Sequence, residues 1–326
     1  MATALRGRGL EAPLAPLVRL PFASRRRATL TAAAGRSGEL VGYLAARSHD
    51  LVDVAACPAL DPSLAASWPA IRAIGAALAR HAGHARLTAT LCANGVDVAA
   101  TLQPSRSGRG RRPRPAPPML AVDDPAIARL TVDGDIALLR EPPVVRFDGV
   151  NVPFPPGAFL QPSRTGEATL TRLVLAGVGE AGRVVDAFCG LGTFAVPITA
   201  HARVTAVDAD GPALDALAAG MARASGRRPL TVARRNLMRD PLSLAELNGV
   251  EAVVFDPPRA GAEALAQGLA NSTVPRIVAV SCEPRTLARD LAHLVAGGYK
   301  ITQVTPVDQF VGTGHIEAVA ELRRDE

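Results

Sequence analysis

Aromatic residues are few: one Trp, two Tyr and eight Phe, 3% of 326 residues. A core must therefore be aliphatic, built from Ala, Val and Leu, and a hydrophobic content of 48% is enough to bury one. No apolar run approaches the roughly 18 residues of a membrane span. Arg6 and Arg8 are followed by no signal-type apolar segment, so the reading is a cytoplasmic protein without a membrane partner. Cysteine is scarce as well. Cys57, Cys92, Cys189 and Cys282 lie far apart with no CxxC pair, which argues against a disulfide framework and a self-contained zinc site.

Lysine is nearly missing too. Lys300 is the only one, so arginine carries the positive charge. The net charge is +6 and uneven: residues 1–150 hold 19 Arg against 12 acidic residues, the remainder 17 basic against 18 acidic. A basic half beside a near-neutral one suggests a polyanionic partner, most simply nucleic acid. Solubility with a preference for Arg over Lys is the plainer explanation of the same charge.

The length suits two domains, and the pattern changes near residue 155. Residues 1–155 read as a basic, antiparallel-rich α+β domain, expected to bind RNA. The segment 1–10 resembles the end of a helix. Residues 17–34 alternate apolar and polar as strands do, with Arg25, Arg26 and Arg27 either clamping phosphates or guarding an edge. A strand pair is expected over 39–46 and 49–54, then a helix over 63–82. Strands follow over 86–102, turning at Asn94-Gly95, and again over 129–139 and 144–154. Cys92 reads as a core residue. The segment 104–118 contains five Arg and five Pro, and so is expected to be a mobile loop.

Residues 156–326 alternate strand and helix, the mark of an α/β domain with a mostly parallel sheet. A helix is expected over 163–176. The run 183-RVVDAFCGLGTFAVPITA-200 reads as strand, glycine turn and helix, and Asp208 ends the next strand about 20 residues later. Such a turn lets a backbone approach a ligand, and such an acid binds a ribose diol. A dinucleotide and S-adenosylmethionine both fit, and the missing GxGxxG spacing favours the methyl donor. Asp256 follows an apolar strand in 251-EAVVFDPPRAGA-262, which should bring it to the same crevice as Asp186, Asp208 and Cys282. Cys282 sits at the mouth of another apolar strand, 277–280, ahead of Leu287, Leu291 and Leu294 at helical spacing. His315 and Glu317, at i and i+2 in what reads as a final strand, should share a face.

Together 186-DAFCGLGTF-194, Asp208, Asn236-Leu237, 256-DPPRAG-261, 281-SCEPRTLARDL-291 and 306-PVDQFVGTGHIEAVAEL-322 resemble the bacterial RNA (uracil-5-)-methyltransferases. The resemblance is strong over about 150–326 and fainter over 17–60. It implies a class I S-adenosylmethionine-dependent methyltransferase (Rossmann-like) fold, with a seven-stranded sheet whose last strand order is reversed. It implies Cys282 as the nucleophile on uracil C6 and Glu317 as the base for the C5 proton, a scheme that requires a thiolate and hence a lowered pKa or a nearby base. The donor S-adenosyl-L-methionine is assigned to Gln161, Phe188, Gly190, Gly192, Asp208, Asn236 and Asp256. The family usually has Gln-x-Asn where this chain has Gln161-Pro162-Ser163. Cys189 in the donor turn is expected to pack. Arg259 stands where RNA cytosine-5-methyltransferases carry a second cysteine.

The implied partner is RNA, its target base flipped out of the stack. The segment 48–60 resembles the one that holds the fourth iron–sulfur cysteine in the ribosomal-RNA branch, with Cys57 as the match. This favours 23S rRNA as substrate over tRNA. The first three cluster cysteines have no counterpart, so no iron–sulfur cluster is expected in this chain. The missing front end suggests a downstream start or a lost segment, which leaves a catalytically impaired RNA-binding remnant as an alternative. No protein partner is evident.

Overall fold

The computed structural model describes residues 1–35, 38–45, 48–104 and 120–324. Apart from Pro104, the Arg/Pro-rich segment 104–118 lies outside the described residues. Contacts divide the chain into two units. The first comprises Phe22–Val145 with Pro153–Ser163. The second comprises Met1–Pro21, Arg146–Val152 and Arg164–Glu326. The first 21 residues thus group with the second unit.

The chain opens with α1 (Ala2–Arg6) and the short β1 (Val18–Arg19), both in the second unit. The first unit then runs β2 (Arg27–Gly35), β3 (Gly38–Leu44), β4 (Leu51–Asp53), α2 (Pro62–Ala66), α3 (Trp68–Ala82), β5 (Gly83–Leu91), β6 (Val96–Pro104), β7 (Ile127–Val132) and β8 (Asp135–Leu139). The helix expected over 63–82 is two helices, because Ser67 ends α2 and Pro69 restarts the chain in the first turn of α3. The strands form one seven-stranded sheet, β4-β3-β2-β5-β6-β7-β8, antiparallel except between β6 and β7. Ile71, Ile74 and Leu78 of α3 share a buried cluster with Leu30, Ala32, Leu87 and Val98 of the sheet. Alanines line the strands, so a chain poor in aromatics still closes its core.

Arg26 and Arg27 of the arginine triplet pack within their own unit. Arg26 is only 5% exposed. Its Nε donates to the Gln161 carbonyl (2.9 Å) and its backbone N–H to the Pro162 carbonyl (2.8 Å). Arg27 donates to the Gly157 carbonyl at 3.2 Å and lies over the Phe159 ring. A buried guanidinium needs partners, and the 157–162 segment supplies them. Asp97, fully buried, accepts from Arg129 Nε at 2.6 Å and from the Gly157 N–H at 3.3 Å. Arg26, Arg27 and Asp97 therefore hold one short segment in place, with Arg129 paired to Asp97.

The chain crosses between units through β9 (Val144–Phe147) and β10 (Val150–Pro153). The second unit continues with α4 (Arg164–Val178), β11 (Arg183–Ala187), α5 (Ala195–Ile198), β12 (Arg203–Asp208), α6 (Gly211–Met221), β13 (Leu230–Arg234), α7 (Leu244–Leu247), β14 (Ala252–Phe255), α8 (Glu263–Ala270), β15 (Arg276–Ser281), α9 (Pro284–Ala296), β16 (Tyr299–Asp308) and β17 (Glu317–Arg324). Its sheet order is β1-β16-β17-β15-β14-β11-β12-β13. All neighbours are parallel except β17, which runs antiparallel to β15 and β16. Seven strands follow the expected order with its reversed end, and β1 adds an eighth. The interiors of β14 and β15 are buried on both faces, as the near-continuous apolar runs of parallel strands require. β11 lies between β12 and β14, so the strand order reverses there, and a ligand crevice opens beyond the carboxyl ends.

Candidate active site

At the switch point the turn after β11 is built from backbone. Phe188 adopts φ 62°, a left-handed conformation costly for a bulky residue, and Gly190 and Gly192 follow at φ 53° and 90°. The Phe188 and Cys189 N–H groups donate to the Val207 carbonyl at 2.8 and 3.2 Å. Asp208, at the end of β12, accepts the Gly190 N–H at 2.8 Å and the Asp210 N–H at 2.9 Å. The acid thus ties the glycine turn to the neighbouring strand. A Cβ built at Gly190 would meet nothing within 4 Å, so the turn faces open space. This bare turn with an acid beside it fits the adenosyl and ribose portions of S-adenosylmethionine.

Asp186, the fourth residue of β11, is fully buried. Burial pushes its carboxyl well above the usual range, the Ala195 N–H opposes, and Asp256 and Asp208 push it further up. Cys189 is buried and its thiol is driven well up by burial and then by Asp186, which makes it inert packing. Asn236 is exposed and its side chain accepts the Met238 N–H at 3.1 Å in the loop after β13. Gln161 lies in the first unit, buried beside Arg26.

The candidate reacting groups lie at the ends of β14 and β15 and the start of β17. Asp256 follows β14, and its N–H donates to the Ala187 carbonyl at 3.3 Å. The β15–β17 ladder ends with Ser281 opposite Ala318, so Cys282 and Glu317 are the next residues beyond its last pair, and Glu317 acts electrostatically on the Cys282 thiol. Glu317 is 3% exposed and is raised to about 8, chiefly by burial and then by Asp256, with Gln309 and Arg259 opposing. Gln309, also buried, donates Nε2–H to Glu317 at 3.4 Å. The Cys282 thiol is half-buried and raised, first by burial, then by Glu317 and Asp256, with Arg259 lowering it. The surroundings therefore disfavour the thiolate, contrary to the lowered pKa that the sequence reading allowed for. His315 does not share a strand face with Glu317. β17 begins at Glu317, and His315 is exposed in the preceding loop, 3.3 Å from Arg259 Nη2 and edge-on to Phe310.

Three residues of the 281–291 stretch acquire a role that the sequence did not suggest. Thr286 Oγ1 donates to the Arg259 carbonyl at 3.1 Å, Arg289 Nη2 to the Ala260 carbonyl at 2.9 Å, and the Ala262 N–H donates to Asp290 at 2.6 Å. The polar positions of α9 thus grip the loop that leaves β14. Gln309 was likewise missed. The available signal was an acid on the buried stripe of an amphipathic helix.

Cys57 is half-buried in the first unit, beside the Tyr43 hydroxyl. Among the described residues no group of three or more His, Cys, Asp or Glu is placed to hold a metal. Cys57 alone does not fit a four-thiolate cluster. No helix among the described residues is long and apolar enough to cross a membrane.

The strand order and the glycine turn with its acid define a class I S-adenosylmethionine-dependent methyltransferase fold. A profile of the tRNA (Uracil-5-)-methyltransferase family matches residues 230–325. The chain is 44% identical over 321 residues to a protein of Brucella suis named as an uncharacterized RNA methyltransferase, covering 98% of this chain and 76% of that one. It is 31% identical over 352 residues to the 23S rRNA (uracil(1939)-C(5))-methyltransferase RlmD of Salmonella choleraesuis, covering 99% of this chain and 78% of that one. Its fold resembles the crystal structure of Pyrococcus abyssi tRNA (uracil-54, C5)-methyltransferase in complex with S-adenosyl-L-homocysteine. The TM-score is 0.72 at 22% identity, over 98% of this chain and 81% of that one. The chain belongs to the RNA uracil-5-methyltransferase family.

Proposed function

We propose that this protein methylates C5 of a specific uridine in RNA, 23S rRNA being the favoured substrate, through a covalent bond between Cys282 and C6. The observation that carries this is the position of Cys282 and the buried Glu317 just beyond the last pair of the β15–β17 ladder. C5 of uracil is a poor nucleophile. Addition of the Cys282 thiolate to C6 forms a C–S bond and moves the electron pair toward C5 and the adjoining carbonyl. S-adenosylmethionine, when bound, supplies the electrophilic methyl that the activated C5 takes up. Glu317 then removes the C5 proton, the C5–C6 double bond reforms, and the thiolate leaves. Burial suits Glu317 to this step, because a base near 8 is matched to neutral solution.

The Gly190–Gly192 turn, Phe188, Asp208 and Asp256 would hold the donor, with Asn236 and Gln161 added by the family resemblance. The basic first half would hold RNA by phosphate and shape contacts. We place the activity in the cytoplasm, where a soluble RNA enzyme meets its substrate. The 23S assignment is supported by the likeness to RlmD and by the segment around Cys57. The family profile's name favours tRNA instead. Tritium release from C5-labelled uridine in 23S and tRNA transcripts decides between them, with Cys282→Ala beside wild type. Release from 23S RNA that is abolished in the variant is expected, because the covalent adduct cannot form without the thiolate. Release that persists in Cys282→Ala would sink the nucleophile assignment, and wild-type release from tRNA alone would move the substrate.

A further inference from the structure

We propose that Asp290 is a positioning residue of the active site: with Arg289 and Thr286 it fixes the 259–262 loop and so places the Arg259 guanidinium beside Cys282 and Glu317. This rests on the reading of Cys282 as the reacting thiol. α9 needs only Leu287, Leu291 and Leu294 to bury its apolar stripe, yet Asp290 lies on the same side, 1% exposed. A carboxylate buried that far is costly unless its oxygens are satisfied, and the partners here are specific. One oxygen accepts the Ala262 N–H at 2.6 Å. The other accepts Arg289 Nε at 2.9 Å and Nη2 at 2.7 Å. Arg289 Nη2 in turn donates to the Ala260 carbonyl at 2.9 Å, and Thr286 Oγ1 to the Arg259 carbonyl at 3.1 Å.

The peptide groups of residues 259, 260 and 262 are therefore all held from one helix. Gly261 lies between them at φ 79°, where a Cβ would come within 2.5 Å of Arg289 Nη2 and 2.7 Å of Asp290 Oδ2. The loop is seated against the Asp290–Arg289 pair with no room for a side chain. The Arg259 side chain, in contrast, is exposed, with the His315 ring as its side-chain hydrogen-bond partner among the described residues. Its backbone is what fixes it. The charged groups acting on the Cys282 thiol are Glu317 from β17, Asp256 from the end of β14, and Arg259. Arg259 is the member of this set that favours the thiolate, and it opposes the rise of Glu317 as well. α9 thus presents the nucleophile just ahead of its first turn and, two turns on, holds the loop that carries the opposing charge.

The test reads the Cys282 thiol without RNA or donor. The full chain is alkylated with iodoacetamide across a pH series, and Cys282 modification is followed by peptide mass spectrometry. Wild type is compared with Asp290→Asn, Thr286→Val, Arg259→Met and the Asp290→Asn/Arg259→Met pair. Asp290→Asn is expected to move the midpoint upward in the same direction as Arg259→Met, with alkylation below the midpoint slowed roughly three- to tenfold, about half to one pH unit. Thr286→Val, which removes only one hydroxyl, moves it less. The double variant matches Arg259→Met alone, because Asp290 acts through Arg259. A lowered melting temperature with an unmoved midpoint in Asp290→Asn would show a merely structural residue and overturn the proposal. Additive shifts in the double variant would overturn it too. If Asp290→Asn fails to fold, Thr286→Val decides by the same readout. Absence of tritium release from wild-type protein defeats the uracil reading and leaves this result standing.

Discussion

The turn after β11 and the pocket at the ends of β15 and β17 lie in the same sheet but are built by opposite means. The turn offers backbone: positive φ at Phe188, Gly190 and Gly192, and an acid spent on holding a glycine N–H. The pocket offers ionisable side chains, the buried Glu317 raised to about 8 and the half-buried Cys282 raised as well. A site made of backbone is sensitive to added bulk. A site made of buried carboxyls is sensitive to pH, because its energetics lie in desolvation.

The largest break in that comparison is Glu317→Gln. The substitution keeps the shape and removes the base, so turnover should fall roughly 10²- to 10⁴-fold while a covalent RNA–protein complex accumulates on denaturing gels. Turnover close to wild type would remove Glu317 from the mechanism. Next in size is bulk in the turn. Gly192→Ala places a Cβ 2.5 Å from Leu217 Cδ1 at φ 90°, whereas Gly190→Ala at φ 53° meets only open space. Thermal unfolding should show Gly192→Ala costing about 2–3 kcal/mol and Gly190→Ala about 1–2 kcal/mol. Equal losses would mean that strain alone governs the turn.

The smallest effect, taken per pH unit, is a slope in stability. Folding lifts Glu317 from 4.5 to about 8, so between those values the native state binds more protons than the unfolded chain. Its contribution is fully present below about 4.5 and is lost as pH rises toward 8, at a slope of at most about 1.4 kcal/mol per pH unit. Glu317→Gln should flatten that part of the stability curve, and Gly190→Ala should leave it unchanged. A slope that survives in Glu317→Gln belongs to another group.

Much of the second unit was legible because parallel strands buried on both faces leave apolar runs, and the residue that ends each run exits into the crevice. Asp208, Asp256 and Cys282 could each be placed at a strand end in this way. The arginine triplet could not be read. Alternation shows which residues share a strand face but not that 157–162 crosses back to bury Arg26. His315 was misplaced because a two-residue spacing does not reveal where the β17 ladder begins.

The sequence by itself determined the order of elements, the aliphatic core, the glycine turn and the reactive residue types, since each is encoded by local spacing or composition. Only the tertiary structure decided that Glu317 acts on the Cys282 thiol, that Asp290 grips a loop 28 residues away, and that the thiol is raised rather than lowered. Those outcomes depend on antiparallel register and on burial, which arise between distant segments once the chain has packed.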